Sequence, residues 1–294
     1  MSVTPTAAAN AFAAERTRLL GIAYRMLGSR ADAEDVLQDA WLRWHESESA
    51  EVRSTQAWLT TIVTRLSIDR LRSAKARREV YIGPWLPEPL ADIEAVTPES
   101  KAELASELSL AFLSLLERLG PDERAAFVLH DAFDCDYDDI ADVLGKSVAA
   151  CRQLVHRARE RVMAERRRFQ VDEQTRQHML ERFIAVAGAG DLPAMKALFA
   201  TDAHMVSDSG GKAVAVRRVL HGAERIVLLF QMIFRRNQRG IDRRLVRING
   251  ELGFATSFRG KLHSVTTIDT DGERIYAYYT VANPDKLRDF LPAA

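Results

Sequence analysis

Apolar residues recur at three- and four-residue steps through the first half of the chain, and a two-residue alternation takes over only past His204. Phe12 to Leu27 is helical in pattern, Gly28-Ser29 breaks it, and Ala31 to His45 forms a second helix capped by Ser29 and Asp32. Ala33, Val36, Leu37, Ala40, Trp41 and Trp44 make its apolar stripe. The far side, Asp35, Gln38, Asp39 and Leu42, mixes acids with a leucine, which suits docking on a basic partner helix; a solvated acidic face is the plainer alternative. A third helix, Thr55 to about Ala76, is expected to bury Leu59, Ile62, Val63 and Leu66. Trp58, Thr61, Arg65, Asp69 and Arg72 lie along one side of it, and Arg77 and Arg78 follow its basic end. A tryptophan among hydroxyls and arginines can stack on bases while cations meet phosphates; packing inside a bundle is the alternative.

The segment from Glu79 to Ser100 carries four prolines and no basic residue, so it is expected to be an extended, acidic linker. Its Trp85 to Pro89 string, WLPEP, is more than a tether needs and reads as a docking element, with Trp85, Leu86 and Pro87 at its front. After Pro121 comes a helix-turn-helix pattern. Tyr137 to Leu144 is a short helix with Ile140, Val143 and Leu144 inward, Gly145 supplies the positive φ of a helix end, and Ser147 caps the next helix. On that helix Val148, Cys151, Val155, Ala158 and Val162 share one side, while Arg152, Gln153, His156, Arg157 and Arg159 lie elsewhere. A packed face plus a face that reaches phosphates and bases is what major-groove reading requires.

The formal charge is zero, from 41 Lys and Arg against 41 Asp and Glu, so nucleic-acid binding has to come from local asymmetry. That asymmetry exists: Arg65 to Arg78 and Lys146 to Arg168 are basic, and Asp131, Asp134, Asp136, Asp138, Asp139 and Asp142 form an acidic run between them. The Asp134-x-Asp136-x-Asp138 run lacks the glycine and closing glutamate of a calcium loop, and two distant cysteines, Cys135 and Cys151, make no zinc site, so no metal or cofactor is expected. The longest apolar run, near Ile226 to Phe234, is too short to span a bilayer, and no signal-peptide pattern opens the chain; a cytoplasmic protein with no membrane partner is expected.

SRADAEDVLQDAWLRWHE followed by TQAWLTTIVTRLSIDRLRSAKARR resembles region 2 of group IV, extracytoplasmic-function RNA polymerase sigma factors, and Pro121 to Arg161 resembles their region 4. The resemblance implies that the Asp35, Gln38, Asp39 and Leu42 face binds the β′ clamp helices of core RNA polymerase. It further implies that Trp58, Thr61, Arg65, Asp69, Arg72, Arg77 and Arg78 recognise and melt the −10 element, and that Ser147, Arg152, Gln153, His156, Arg157 and Arg159 read the −35 element. The acidic loop from Asp131 to Asp139 lies where region 4 of the family approaches the β flap, and linkers of the family thread the polymerase near the template strand.

Past Arg168 helices Asp172 to Ala187 and Leu192 to Phe199 are expected, the first broken at Gly188 to Gly190 and the second followed by Thr201-Asp202-Ala203. Strands follow at His204–Ser207, Arg243–Asn249, Gly253–Arg259, Leu262–Asp269 and Arg274–Ala282, with a helix Glu224 to Arg235 among them. Helices followed by a curved antiparallel sheet resemble a SnoaL-like domain of the NTF2-like cone fold. DSGGK, Asp208 to Lys212, and NPDKL, Asn283 to Leu287, together with WLPEP, resemble signatures of SigJ-type sigma factors with a fused SnoaL-like domain; Ser209 stands where the signature has glycine. Asp208, Gly210, Gly211, Lys212, Asn283, Pro284, Asp285 and Lys286 are therefore regulatory candidates, placed to pair or to contact the DNA-binding half.

The expected architecture is multidomain: an all-α region 2 (1–78), a Pro-rich acidic linker (79–100), an all-α helix-turn-helix region 4 (101–168) and an α+β SnoaL-like regulatory domain (169–294). Asp202, His204, Asp208, His221 and His263 show no fixed spacing of an acid–base pair, so no catalytic residue is assigned and the last domain reads as a regulator, not an enzyme. A small apolar ligand in its pocket is the further partner expected. The competing reading is an independent helix-turn-helix regulator with a ligand-sensing domain.

Overall fold

The computed structural model describes residues 5–46, 54–79, 81–91, 108–165, 171–213, 215–236, 240–288 and 290, with side chains of 5–8, 74–79 and 165 outside the description. The chain divides into two compact units. One comprises Met1–Glu79, Ile93–Glu107 and Phe112–Arg166; the other comprises Val80–Asp92, Leu108–Ala111 and Arg167–Ala294.

The first unit is helical. It holds α1 (Pro5–Leu27), α2 (Arg30–Glu46), α3 (Thr55–Glu79), most of α4 (Leu110–Leu116), α5 (Pro121–Phe127), α6 (Tyr137–Leu144) and α7 (Val148–Glu165). Ser29 caps α2, its Oγ accepting from Asp32 N at 3.2 Å, and Ala33, Val36, Leu37, Ala40 and Trp44 are buried, while Trp41 is half-buried edge-on to Phe12. The buried row of α3 is broader than periodicity predicts. Leu59 and Val63 are buried with Thr60, Thr64, Ser67, Ile68 and Leu71, whereas Ile62 and Leu66 are only half-buried. Helix α3 packs on α1 and α2 along one side and on α5 and α6 along another, which buries hydroxyls. Thr60 and Ser67 satisfy themselves by donating to the carbonyls of Gln56 and Val63 at 2.7 and 2.8 Å.

Arg124 of α5 is buried and joins the two halves of this unit: its Nη1 donates to Met26 O at 2.6 Å and to Glu117 Oε1 at 2.7 Å. Burial pulls its guanidinium down to about 9, well below the usual range of an arginine. Helix α5 runs into a π-helical turn at Val128–Ala132, a rare geometry that shifts the register of the side chains beyond it.

The second unit is α+β. Helices α8 (Glu173–Ala189) and α9 (Leu192–Leu198) precede β1 (Phe199–Asp208) and β2 (Leu220–His221); α10 (Ala223–Arg236) and β3 (Ile241–Ile248), β4 (Glu251–Phe258), β5 (Lys261–Thr270) and β6 (Ile275–Val281) follow. Gly188 lies inside α8, and it is Gly190, at φ 70°, that ends the helix. Thr201-Asp202-Ala203 belongs to β1, which starts at Phe199. The six described strands run β2-β1-β6-β5-β4-β3; β1 pairs with β6 in parallel, so the sheet is mixed, not wholly antiparallel as expected. The reason is topological: α10 and four strands, β2 to β5, intervene before β6 returns beside β1.

Alternate residues of the strands feed two cores. On one face Phe183 of α8 stands 5.4 to 5.5 Å from the rings of Phe230, Phe254 and Tyr278. The opposite face, with Ala255, Val265, Ala277, Tyr279 and Val281, is covered by Leu86, Leu110, Leu287 and Phe290. Among the described residues, no helix is long and apolar enough to cross a membrane.

Candidate nucleic-acid interface and linker clasp

The helix-turn-helix is built by short-range chemistry. Asp136 caps α6, accepting from Asp139 N at 2.8 Å, and Asp138 and Asp139 add charge where the helix dipole favours it. Burial, then Asp136, Asp142 and Asp138, push the Asp139 carboxyl up. Gly145 turns the chain at φ 62°, and Ser147 Oγ accepts from Ala150 N at 3.2 Å to start α7. Cys151, Leu154, Val155, Ala158 and Val162 are buried. Arg152, Gln153, His156, Arg157 and Arg159 are all exposed on the remaining surface.

These exposed residues are not idle, which sequence spacing does not reveal. Arg159 makes a forked pair with Asp131, 2.9 and 2.7 Å, and that hydrogen bonding holds its guanidinium above its usual range. Arg157 and Arg161 both reach Glu123, at 3.4 and 2.7 Å. His156 faces Glu160 at 3.7 Å, and Arg152 lies over the Tyr137 ring at 5.4 Å.

The candidate −10 residues of α3 are also engaged. Trp58, expected as an open stacking platform, is half-buried against Trp44 with ring centroids 5.3 Å apart. Thr61 donates back to Ala57 O at 2.9 Å. Arg65 donates to Val143 O at 2.9 Å and Asp142 O at 3.0 Å, the unsatisfied carbonyl end of α6, where a cation also complements the helix dipole. Arg72 reaches both Asp69 and Asp122, at 3.7 and 3.3 Å, and Lys146 joins Asp122 at 3.0 Å. Arg77 and Arg78 lie outside the residues whose side chains are described.

On α2, Asp35, Gln38, Asp39 and Leu42 form one exposed row, with Leu42 51% exposed. The row is partly neutralised by Arg70 of α3, which pairs with Asp35, with Asp32 at 3.4 Å and with Asp39 at 3.9 Å. Beside the π-helical turn a groove of about 330 Å³ is lined by Phe112, Leu116, Phe127, Val162 and Met163, with His130 and Asp131 at its edge.

The second unit gathers all three short signatures into one network. Asp208, fully buried at the end of β1, accepts from Tyr81 OH at 2.5 Å, from Leu86 N at 2.8 Å, from Gly210 N at 3.1 Å and from Lys286 Nζ at 2.7 Å. Lys286 also donates to Leu86 O and sits 3.9 Å from the Trp85 ring centroid. Asn283 donates to Tyr81 OH at 2.8 Å, and Lys212 pairs with Asp285. Burial first, and then the Asp208 carboxylate, raise the Tyr81 hydroxyl above its usual range. Gly210 and Gly211 permit the approach: both have positive φ, and a Cβ on either would stand 2.5 Å from Asn283 Nδ2 or 2.9 Å from Ile82. Ser209 has no positive φ, and its Oγ accepts from Gly211 N at 3.3 Å, so a side chain there supports the turn.

DSGGK and NPDKL pair with one another, Asp208 with Lys286 and Lys212 with Asp285, and Asp208, Asn283 and Lys286 together grip Tyr81 to Leu86 of the linker. Residues 81–91 of the linker carry neither helix nor strand, and Leu86 to Leu90 are buried in the second unit instead of forming a free tether, while 80 and 92–100 lie outside the described residues. Asn249 stands at the β3–β4 hairpin turn with φ 54°. Its buried amide accepts from Leu90 N and donates to Leu108 O, both at 2.8 Å, so the turn holds Leu90 within the linker and Leu108 beyond it. An Asn at a positive-φ turn followed by glycine satisfies the hairpin alone, so no sequence signal marks the second role.

A further cleft near Phe230, Phe234 and Arg243 measures only about 80 Å³. His204 and His221 stack at 6.3 Å, and Tyr279 OH lies 3.4 Å from His204 Nε2. Among the described residues no cluster of three or more His, Cys, Asp or Glu could hold a metal.

Comparison with known proteins matches residues 11–77 to Sigma-70 region 2 and residues 109–162 to Sigma-70, region 4. The chain is similar to the ECF RNA polymerase sigma factor SigJ of Mycobacterium tuberculosis (strain ATCC 25618 / H37Rv), 39% identical over 94% of this chain and 91% of that protein. It is similar to the probable ECF RNA polymerase sigma factor SigI of the same strain, 36% identical over 62% of this chain and 63% of that one. Among solved structures it is similar to the crystal structure of Mycobacterium tuberculosis extracytoplasmic function sigma factor SigJ: TM-score 0.77, 35% identity, covering 95% of this chain and 98% of that one.

Proposed function

The chain belongs to the extracytoplasmic-function RNA polymerase sigma factors, which initiate transcription, and from that premise we propose how its parts divide the work. Residues 1–78 act as region 2, 79–100 as linker, 101–168 as region 4 and 169–294 as a built-in regulator in place of a separate anti-sigma factor. Asp35, Gln38, Asp39 and Leu42 meet the β′ clamp helices, exchanging the Arg70 pairs for basic groups of the polymerase. Trp58, Thr61, Arg65, Asp69, Arg72, Arg77 and Arg78 take the −10 element, and Ser147 with Arg152 to Arg159 takes the −35 element. The apolar groove beside Asp131 receives the β flap. Working with core polymerase, the protein acts in the cytoplasm.

The observation that carries the regulatory reading is the grip of Asp208, Asn283 and Lys286 on Tyr81 to Leu86. A linker buried on the second unit is withheld from any path through the polymerase. A second restraint supports the same reading. The −10 and −35 elements are centred about 25 base pairs apart, roughly 85 Å at 3.4 Å per pair. With Arg65 bonded to α6, regions 2 and 4 touch, so both elements are reached only after that contact opens. A small apolar ligand in the second unit is the remaining expectation. A cleft of about 80 Å³ is well below the roughly 300 Å³ at which ligand pockets begin, so any such ligand has to displace side chains.

The test is transcription in vitro with purified core polymerase from the protein's own promoter. Wild type gives promoter-specific transcript, and Asp35→Lys with Asp39→Lys abolishes core binding; retained core binding removes that face from the assignment. Lys286→Met frees the linker and changes the amount of transcript, and unchanged output rules out regulation through the clasp.

A further inference from the structure

The charge of this DNA-directed protein is distributed in an unexpected direction. Residues 1–170 hold 23 Lys and Arg against 27 Asp and Glu, whereas residues 171–294 hold 18 against 14. Within residues 171–294 the positive charge is concentrated from Arg217 to Lys261, with 11 basic residues and 3 acidic ones.

Topology brings part of that density to one end of the sheet. Helix α10 closes with Arg235 and Arg236, the chain re-enters at Gly240, and Arg259 N donates to Gly240 O at 2.8 Å. Ile241 pairs with Phe258, and Phe258 pairs with Lys261, so Arg259 in the β4–β5 hairpin turn and Lys261 at the first position of β5 lie beside the start of β3; Arg244 follows on the same edge strand. All five cations are exposed, and among the described residues none has a carboxylate within ion-pair distance. This contrasts with Arg176 and Arg247 of the same unit, which pair with Glu251 and Glu173. The nearby Asp242 is the one acid between Arg235 and Glu251 in the sequence.

Arg259 adds an independent sign. It stands at φ 51°, a conformation that favours Asn or Gly, and the neighbouring β3–β4 turn does use Asn249 at φ 54°. The Arg259 guanidinium thus stands at the β4–β5 turn against local backbone preference.

We propose that Arg235, Arg236, Arg244, Arg259 and Lys261 form a second DNA-contacting surface, which binds the phosphate backbone of duplex DNA without reading sequence. A polyanion is the partner that complements five exposed, unpaired cations. Duplex is favoured over single strands because the surface offers no stacking platform: Phe258 is partly covered by Arg259, 5.1 Å from its centroid. The surface supplies the sequence-independent affinity that a net-acidic DNA-reading half lacks.

The test uses the full chain alone, with fluorescence anisotropy on a 30-base-pair duplex that lacks promoter elements, titrated between about 50 and 200 mM salt. It needs no core polymerase, so it fails or succeeds independently of the transcription assay above. Replacing Arg235, Arg236, Arg259 and Lys261 together by Gln weakens binding at least about tenfold at the low-salt end and lowers the salt slope by about 3.6, near 0.9 for each of the four lost phosphate contacts. Arg259→Asn is the variant that separates folding from binding: it relaxes the turn, so the melting temperature holds or rises while the slope falls by about one. An unchanged slope in both variants overturns the proposal, and so does binding that depends on these residues only with single-stranded RNA of equal length.

Discussion

Ion pairs of two kinds organise the two units. On α7 and its neighbours, Glu123 and Asp131 hold Arg157, Arg159 and Arg161 in pairs whose arginines are about half-exposed, the setting in which a pair contributes about 0–1 kcal/mol. In the linker clasp, Asp208 and Lys286 have side chains 0% and 12% exposed and share their bonds with Tyr81 and Leu86. There, removing one partner strands a buried charge. The same chemistry is thus exchangeable on the DNA-reading helix, where phosphates can replace carboxylates at little cost, and locking at the linker.

The largest effect expected from this difference is for Asp208→Ala, which leaves Lys286 without its buried counter-charge. It should cost about 3–5 kcal/mol of stability in the second unit and expose residues 81–91 to protease. Urea unfolding followed by fluorescence, with timed proteolysis, measures both; a loss under about 1 kcal/mol would place the clasp in the same class as the surface pairs. Arg65→Ala comes next. It removes two charge-assisted hydrogen bonds to the end of α6, about 1.5–3 kcal/mol each before solvent compensation at a half-exposed site, and small-angle scattering should report a more open chain. An unaltered scattering curve would mean that Arg65 does not hold regions 2 and 4 together.

Glu123→Gln should change stability by no more than about 1 kcal/mol while tightening binding to a −35 duplex severalfold, because Arg157 and Arg161 lose their competitor. Weaker DNA binding would show that Glu123 positions these arginines instead of occupying them. The smallest effect is alkaline. The Tyr81 hydroxyl is raised above 10.0 in the folded protein, so its contribution is intact below that pH and is lost as pH rises and the unfolded tyrosine ionises first. Stability compared at about pH 9 and pH 11 should therefore fall less in Tyr81→Phe than in wild type; equal falls would remove Tyr81 from the linkage.

What the sequence determined by itself was local. Gly145 and Ser147 mark the helix-turn-helix within three residues, because caps and positive-φ turns act between near neighbours, whereas the Asp136 cap of α6 emerged only from the structure. The strands of the second unit were legible from alternation, although the start of β1 and the parallel pairing of β1 with β6 were not, since both depend on which strand returns beside which. The WLPEP, DSGGK and NPDKL strings could be singled out, but not joined. Tyr81, Asp208 and Lys286 are more than 70 residues apart, and no periodicity links an acid to a lysine across that distance. The same holds for Arg159 with Asp131 and Arg65 with the end of α6. Only the tertiary structure decided which cations are neutralised and which stay without a carboxylate partner, because an ion pair depends on distance and burial in three dimensions, and a sequence specifies neither until the chain has folded.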